Sequence, residues 1–143
     1  MATTQYWLIK SEPSVYSYAQ LEADGETDWT GVRNFEARNN LRAMQVGDLC
    51  LYYHSNEDKA VVGVARVIRT AEPDPTATSG DWSKVDVEPV VRLSRPVTLA
   101  EVKADPAFSE MPLVTRGRLS VAPVTAKDFR TVLSRGKTKL PKD

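Results

Sequence analysis

Tyr6-Trp7-Leu8-Ile9-Lys10-Ser11-Glu12-Pro13 reads as a buried strand that stops abruptly in a cluster of polar groups. Aromatic and β-branched residues from Tyr6 to Ile9 suit a pleated, buried surface. Lys10, Ser11 and Glu12 then set an ammonium, a hydroxyl and a carboxylate at the strand's C-terminal end. Pro13 removes a backbone donor and ends the ladder. Donors and acceptors gathered against an apolar floor are what a pocket for a flat polar ligand requires. A first strand with a merely solvated end is the competing reading.

The chain of 143 residues is long enough for one core without disulfide or metal staples. It is 41% hydrophobic and 27% charged, a balance that places it among ordinary globular proteins. No apolar run approaches the roughly 20 residues of a membrane span, and no secretory signal is recognisable. Cys50 is the single cysteine, which excludes an internal disulfide and a multi-cysteine zinc site. These features point to a cytoplasmic protein with no membrane partner. The formal net charge is zero, against bulk electrostatic coating of nucleic acid. Residues 1–110 nevertheless hold 11 basic and 17 acidic side chains, and residues 111–143 hold 8 and 2. Arg116, Arg118, Lys127, Arg130, Arg135, Lys137, Lys139 and Lys142 form that basic end, fit to follow a phosphate backbone or to solubilise a tail.

Turn and cap signals divide the remainder. Ser17-Tyr18-Ala19-Gln20 has capping-box spacing and predicts a short helix closing near Asp24-Gly25. Asp28 to Val32 reads as a turn or brief strand around Trp29, and Asn34 to Met44 as a helix with Ala37, Leu41 and Met44 on one face. Leu49 to His54 and Val61 to Thr70 predict two strands, with Gly63 marking a bulge or a close backbone approach. Pro73 to Asp81 is a loop rich in Pro, Thr, Ser and Asp, and leads through Trp82 into another strand. There Val85, Val87, Val91 and Leu93 alternate with Asp86, Glu88 and Arg92, and Pro89 implies an edge or bulge. Thr98 and Thr125 each open a helix. Pro112 to Val124 reads as extended, turning at Arg116-Gly117-Arg118. The sum is a single α+β domain over residues 1–143, with a basic tail from about 135. Five or six strands, mostly in sequential hairpins, are expected to form a mixed sheet curled into a small open barrel with short peripheral helices.

Catalytic motifs are sparse. His54 is the only histidine, no serine sits in a nucleophile elbow, and no ligand spacing for a metal or loop for a phosphate cofactor occurs. No cofactor or metal is therefore expected. A recognition pocket fits better. Trp29, flanked by Asp28, Thr30 and Gly31, has a poor neighbourhood for a core anchor. Buried indoles near loops often line wet pockets because the N–H needs a partner. His54-Ser55, at a neighbouring strand end, offers further donors.

Several linked stretches together resemble the EVE domain family. They are Trp7 to Pro13, Trp29-Thr30-Gly31-Val32-Arg33-Asn34, Ala37-Arg38-Asn39, Leu41 to Met44, Gly47-Asp48, Tyr52-Tyr53-His54-Ser55-Asn56 and Val85-Asp86-Val87. The resemblance runs from Tyr6 to about Leu133 and implies a PUA-like fold. It also implies the function of related YTH domains and of EVE domains, which is to read modified bases in RNA or DNA. The Leu8-Ile9-Lys10-Ser11 strand end is similar to the strand that borders the YTH base pocket, and Trp29 matches the first tryptophan of its aromatic cage. Glu12 stands where the YTH reader has Asn, and an acceptor-only carboxylate favours an exocyclic amine such as cytosine N4.

The expected function is thus a non-catalytic module that captures a modified base, such as a 5-substituted cytosine, from DNA or RNA. Lys10, Ser11, Glu12, Trp29, Thr30, Tyr53, His54, Ser55 and Trp82 are the expected base-binding residues, with Trp82 as second cage wall. Arg33, Arg38, Arg42, Arg116 and Arg118 are the expected phosphate contacts. A partner nuclease or modification enzyme is expected for a stand-alone reader. The alternative is an enzyme acting on a nucleotide-like molecule, with His54 and Glu12 as acid and base. An interaction scaffold is a third reading. Burying one methyl adds only about 0.8 kcal/mol, so strong selection requires an aromatic enclosure or polar groups that only the modified base satisfies.

Overall fold

The structure is a computed structural model and describes residues 3–141, so Lys142 of the basic tail lies outside the described residues. In chain order the elements are β1 (Tyr6–Ser11), α1 (Tyr18–Asp24), β2 (Thr27–Asp28), α2 (Phe35–Ala43), β3 (Leu49–His54), β4 (Ala60–Pro73) and β5 (Ser83–Thr98). There follow α3 (Leu99–Ala104), a 3₁₀ turn at Pro106–Phe108, α4 (Pro112–Thr115), β6 (Val121–Val124) and α5 (Ala126–Arg135). The helix starts obey their capping residues. Ser17, Asn34, Thr98 and Thr125 each accept from a backbone N–H three residues on. Thr98 and Glu101 complete a reciprocal capping box. At Ser17 only the hydroxyl half forms, because the Gln20 amide donates to Asp24 instead.

The six strands form one sheet in the order β2-β5-β4-β3-β1-β6. β3, β4 and β5 are sequential antiparallel neighbours, whereas β1 runs parallel to β3. That parallel pair needs a long crossover, which residues 12–48 supply with α1, β2 and α2. The sheet does not close: β2 and β6 are separate edges. The expected curled barrel is therefore an open PUA-like sheet with peripheral helices.

Both faces of the sheet are covered. Along β1 and β3, Trp7, Ile9, Cys50 and Tyr52 join one core with Leu21, Leu41 and Met44. Their alternates Leu8, Leu49, Leu51 and Tyr53 join a second core with Phe108, Phe129 and Val132. In β5, Val85 and Val87 belong to the first core but Leu93 to the second. A register shift explains this change of face: Ala65 pairs with Pro89, yet Val64 pairs with Val91, leaving Val90 as an extra residue. Gly63 has the close approach its sequence context predicted, because a Cβ there would lie 2.5 Å from the Tyr18 ring.

One expectation needs correction. Pro112–Thr115 is a helical turn, where proline at the first position costs no hydrogen bond. The tail beyond Arg135 packs back on β5: Arg95 N–H donates to Gly136 O and Ser94 N–H to Thr138 Oγ1. No helix among the described residues is long and apolar enough to cross a membrane.

Candidate nucleic-acid interface

The end of β1 opens onto a cavity of about 580 Å³. That falls within the roughly 300–1,000 Å³ of small-molecule sites. Lys10 and Ser11 form one side, the turn at Val15-Tyr16 a second, and residues 27–34 a third. The β1 wall is tied to Ser120, whose carbonyl accepts from Lys10 N–H at 3.1 Å. Glu12 O accepts from the N–H groups of Val15 and Tyr16, both at 2.9 Å, and this turn carries the second wall. Trp29 N–H donates to Val85 O at 2.7 Å, which fixes the third wall to the sheet. Trp29 is 6% exposed and packs in the first core, contrary to the expectation from its polar neighbours, and its ring meets Tyr52 edge-on, with centroids 5.4 Å apart and planes at 84°. Tyr52 is itself held by its hydroxyl, which donates to Tyr16 O at 2.7 Å. Its phenol is pushed far up by burial.

Asp74 clamps the outer part of this wall. Its carboxylate accepts from Gly31 N–H at 2.8 Å, from Arg33 Nη1 at 3.0 Å, and from both the N–H and hydroxyl of Thr76 at 2.7 Å. Gly31 reaches this position with φ +84°, a left-handed conformation that favours glycine. Burial opposes the Asp74 charge, but the hydrogen bonds from Thr76, Gly31 and Arg33 win and hold the carboxyl well below the usual range.

The residues singled out in the sequence separate into groups. Lys10, Ser11, Trp29, Thr30 and Arg33 come together at the cavity. Tyr53 and Ser55 line a smaller depression of about 220 Å³ on the other side of Lys10, with Lys59 and Lys103. Lys10 Nζ donates to Gly117 O at 2.9 Å and lies 5.7 Å from the Tyr53 ring, and burial lowers its pKa. His54 is not among the cavity residues. Its Nε2 accepts Tyr18 N–H at 3.0 Å while Nδ1 faces Asp58 at 2.8 Å, so both ring nitrogens pin local structure. Glu12 is exposed and does not line the cavity either. An acid–base pair acting on one reacting atom has no basis in this arrangement.

Trp82 stands outside the cavity, stacked on Phe35. Among the arginines, Arg42 reaches Asp81 and Ser83, and Arg38 reaches Asp81 O. Arg116 is held by the Glu36 carboxylate, while Arg118 lines a depression of about 300 Å³ beside Asn34. Sequence reasoning missed Asp28, Asn34, Val15, Tyr16 and Ser120 as cavity residues. Asp28 directly precedes the Trp29 motif and Asn34 closes it, which was the available signal. Ser120 comes from β6 pairing and has no local signature. No group of three or more His, Cys, Asp or Glu among the described residues is placed to hold a metal.

An open mixed sheet with peripheral helices and a polar cavity at the end of β1 defines a PUA-like domain. The chain belongs to the EVE domain family, which it matches over residues 5–135. A crystal structure of an Agrobacterium tumefaciens protein is similar at TM-score 0.92 and 44% identity, covering 97% of this chain and 100% of that one. Human thymocyte nuclear protein 1 is 34% identical over an alignment of 165 positions that covers 92% of this chain and 73% of the relative. The crystal structure of human THYN1 protein in complex with 5-methylcytosine containing DNA is similar at TM-score 0.85 and 34% identity, with 95% and 99% coverage.

Proposed function

We propose that this protein is a non-catalytic reader that captures one extruded base, a 5-methylcytosine-like base of DNA, in the cavity beside Trp29. The observation that carries the reading is the convergence of Trp29, Lys10, Ser11 and Thr30 on one cavity. The human relative's complex with 5-methylcytosine containing DNA supports the choice of base. Extruding a base costs a few kcal/mol, and stacking on one aromatic returns about 1–3 kcal/mol. Polar contacts must supply the rest. Asp28 takes the acceptor role expected of Glu12, because its carboxylate lines the cavity and suits an exocyclic amine. Asn34 spends Oδ1 on the α2 cap, which leaves its Nδ2 to donate. Arg38 and Arg118 contact phosphates, with smaller parts for Arg33, Arg42 and Arg116, which carboxylates already hold. Tyr53 and Ser55 extend the strand path past Lys10.

We place the protein in the cytoplasm, in keeping with its free, buried Cys50, acting with a nuclease or modification enzyme. Titration of short oligonucleotides carrying 5-methylcytosine or cytosine tests the reading. Tighter binding of the modified strand, lost in Trp29→Ala, is expected. Equal binding across the pair, unchanged in Trp29→Ala, would refute it.

A further inference from the structure

Phe35 is 66% exposed although it is aromatic, and it occupies the first position of α2, where a polar residue would serve the helix equally well. Its ring stacks on Trp82 with centroids 5.1 Å apart and planes 15° from parallel. The Arg38 guanidinium lies 5.0 Å from the Phe35 ring and 5.8 Å from Trp82, and Arg33 lies 5.7 Å from Trp82. This pair of an exposed phenyl and a half-buried indole, flanked by two guanidiniums, belongs to neither core.

The fold nevertheless holds Trp82 in place from several directions. Asp74 N–H donates to Trp82 O at 3.0 Å. Arg38 Nη1 donates to Asp81 O at 3.0 Å, and Arg42 Nη2 to Asp81 Oδ1 at 2.7 Å. Gly80 has φ +88°, and a Cβ there would sit 2.6 Å from Trp82 Nε1, so the residue leaves room for the indole. Phe35 directly follows Arg33 and Asn34, which line the cavity. The stack is therefore adjacent to the proposed base site without being part of it.

We infer that the Phe35–Trp82 stack is a second nucleobase platform, which takes the base next to the captured one on the same strand. The inference rests on the base-capture reading. The Phe35 ring offers an exposed π-surface to any base, and Arg38, together with Arg33 held by Asp74, puts positive charge beside it for the intervening phosphates. This charge complementarity selects a nucleic-acid strand over an apolar protein segment.

The test compares a single-stranded oligonucleotide bearing one central 5-methylcytosine with the same strand made abasic at both neighbouring positions. Wild-type protein should bind the intact strand roughly 5- to 150-fold more tightly, the range that stacking on one aromatic supplies. Phe35→Ala should remove most of that difference and leave affinity for the abasic strand unchanged. Circular dichroism checks that the exposed substitution leaves the fold intact. Equal loss on both strands, or no loss on either, overturns the platform; the second pattern is also what a surface reserved for a protein partner would give. Trp29→Ala separates the two readings. If it weakens both strands while Phe35→Ala does nothing, the cavity stands and the platform fails. If it changes neither, the cavity reading fails and the platform with it.

Discussion

Replacing Asp74 by Ala should both destabilise the protein and weaken its grip on nucleic acid. The Asp74 side chain is fully buried and accepts four hydrogen bonds, from Gly31, from Arg33 and two from Thr76, at 2.7–3.0 Å. Hydrogen bonds to a charged group contribute about 1.5–3 kcal/mol each. They do not add here, because they share one acceptor. The Arg33 side chain is 38% exposed and recovers water when released, as does exposed Thr76. The Gly31 N–H and the collapse of the loop contact dominate, for a net loss of about 2–4 kcal/mol. In a chain this long that corresponds to a fall in Tm of about 6–12 °C. Asp74→Asn keeps the shape, loses the charge and should fall between.

The pH dependence has a definite sign. Because the folded carboxyl lies below its ordinary value, its contribution is complete above the unfolded pKa of about 3.9. It is lost as pH falls from there toward the folded value. The stability gap between wild type and Asp74→Asn should therefore be constant near neutrality and close in acid. Thermal melts from about pH 7 down to about pH 3 measure this directly. A Tm for Asp74→Ala within about 1 °C of wild type would refute the clamp, as would a gap that widens in acid.

Other expected outcomes concern separate parts of the structure. Gly63→Ala places a Cβ 2.5 Å from the Tyr18 ring. Tyr18 cannot yield easily, since its hydroxyl donates to Val64 O at 2.7 Å, so urea unfolding should show a loss of about 1–3 kcal/mol. Trp7→Phe removes the indole donor to buried Asp48 and should cost about 1–3 kcal/mol without changing the ratio of modified to unmodified affinities. His54→Ala should likewise lower Tm and leave that ratio intact, because the imidazole holds the start of α1. Arg118→Ala should weaken all strands alike and reduce the slope of log affinity against log salt by about 0.7–0.9.

Local signals in the chain were read well, and non-local ones were not. The caps at Thr98 and Thr125, the Gly63 approach and the irregularity at Pro89 each follow from the stereochemistry of one residue. A mixed sheet was legible, but not that β1 and β3 are its parallel pair, because the crossover that permits it spans a helix, a short strand and another helix. Valines 85, 87 and 91 share sequence parity, and only the bulge at Val90 shows that they serve different cores. At the site, Lys10, Ser11, Trp29 and Thr30 were legible because the cavity is built around their motifs. His54 looked equally available, yet its fate depended on Tyr18 and Asp58, a choice that only packing makes.

The most direct measurement follows the indole N–H resonances of Trp7, Trp29 and Trp82 in ¹⁵N-labelled protein during titration with an abasic-flanked strand bearing one 5-methylcytosine. The Trp29 resonance should move furthest, while that of Trp7, bonded to Asp48 at 3.0 Å on the interior side, should stay fixed. Saturable binding that leaves the Trp29 resonance in place would contradict base capture in this cavity.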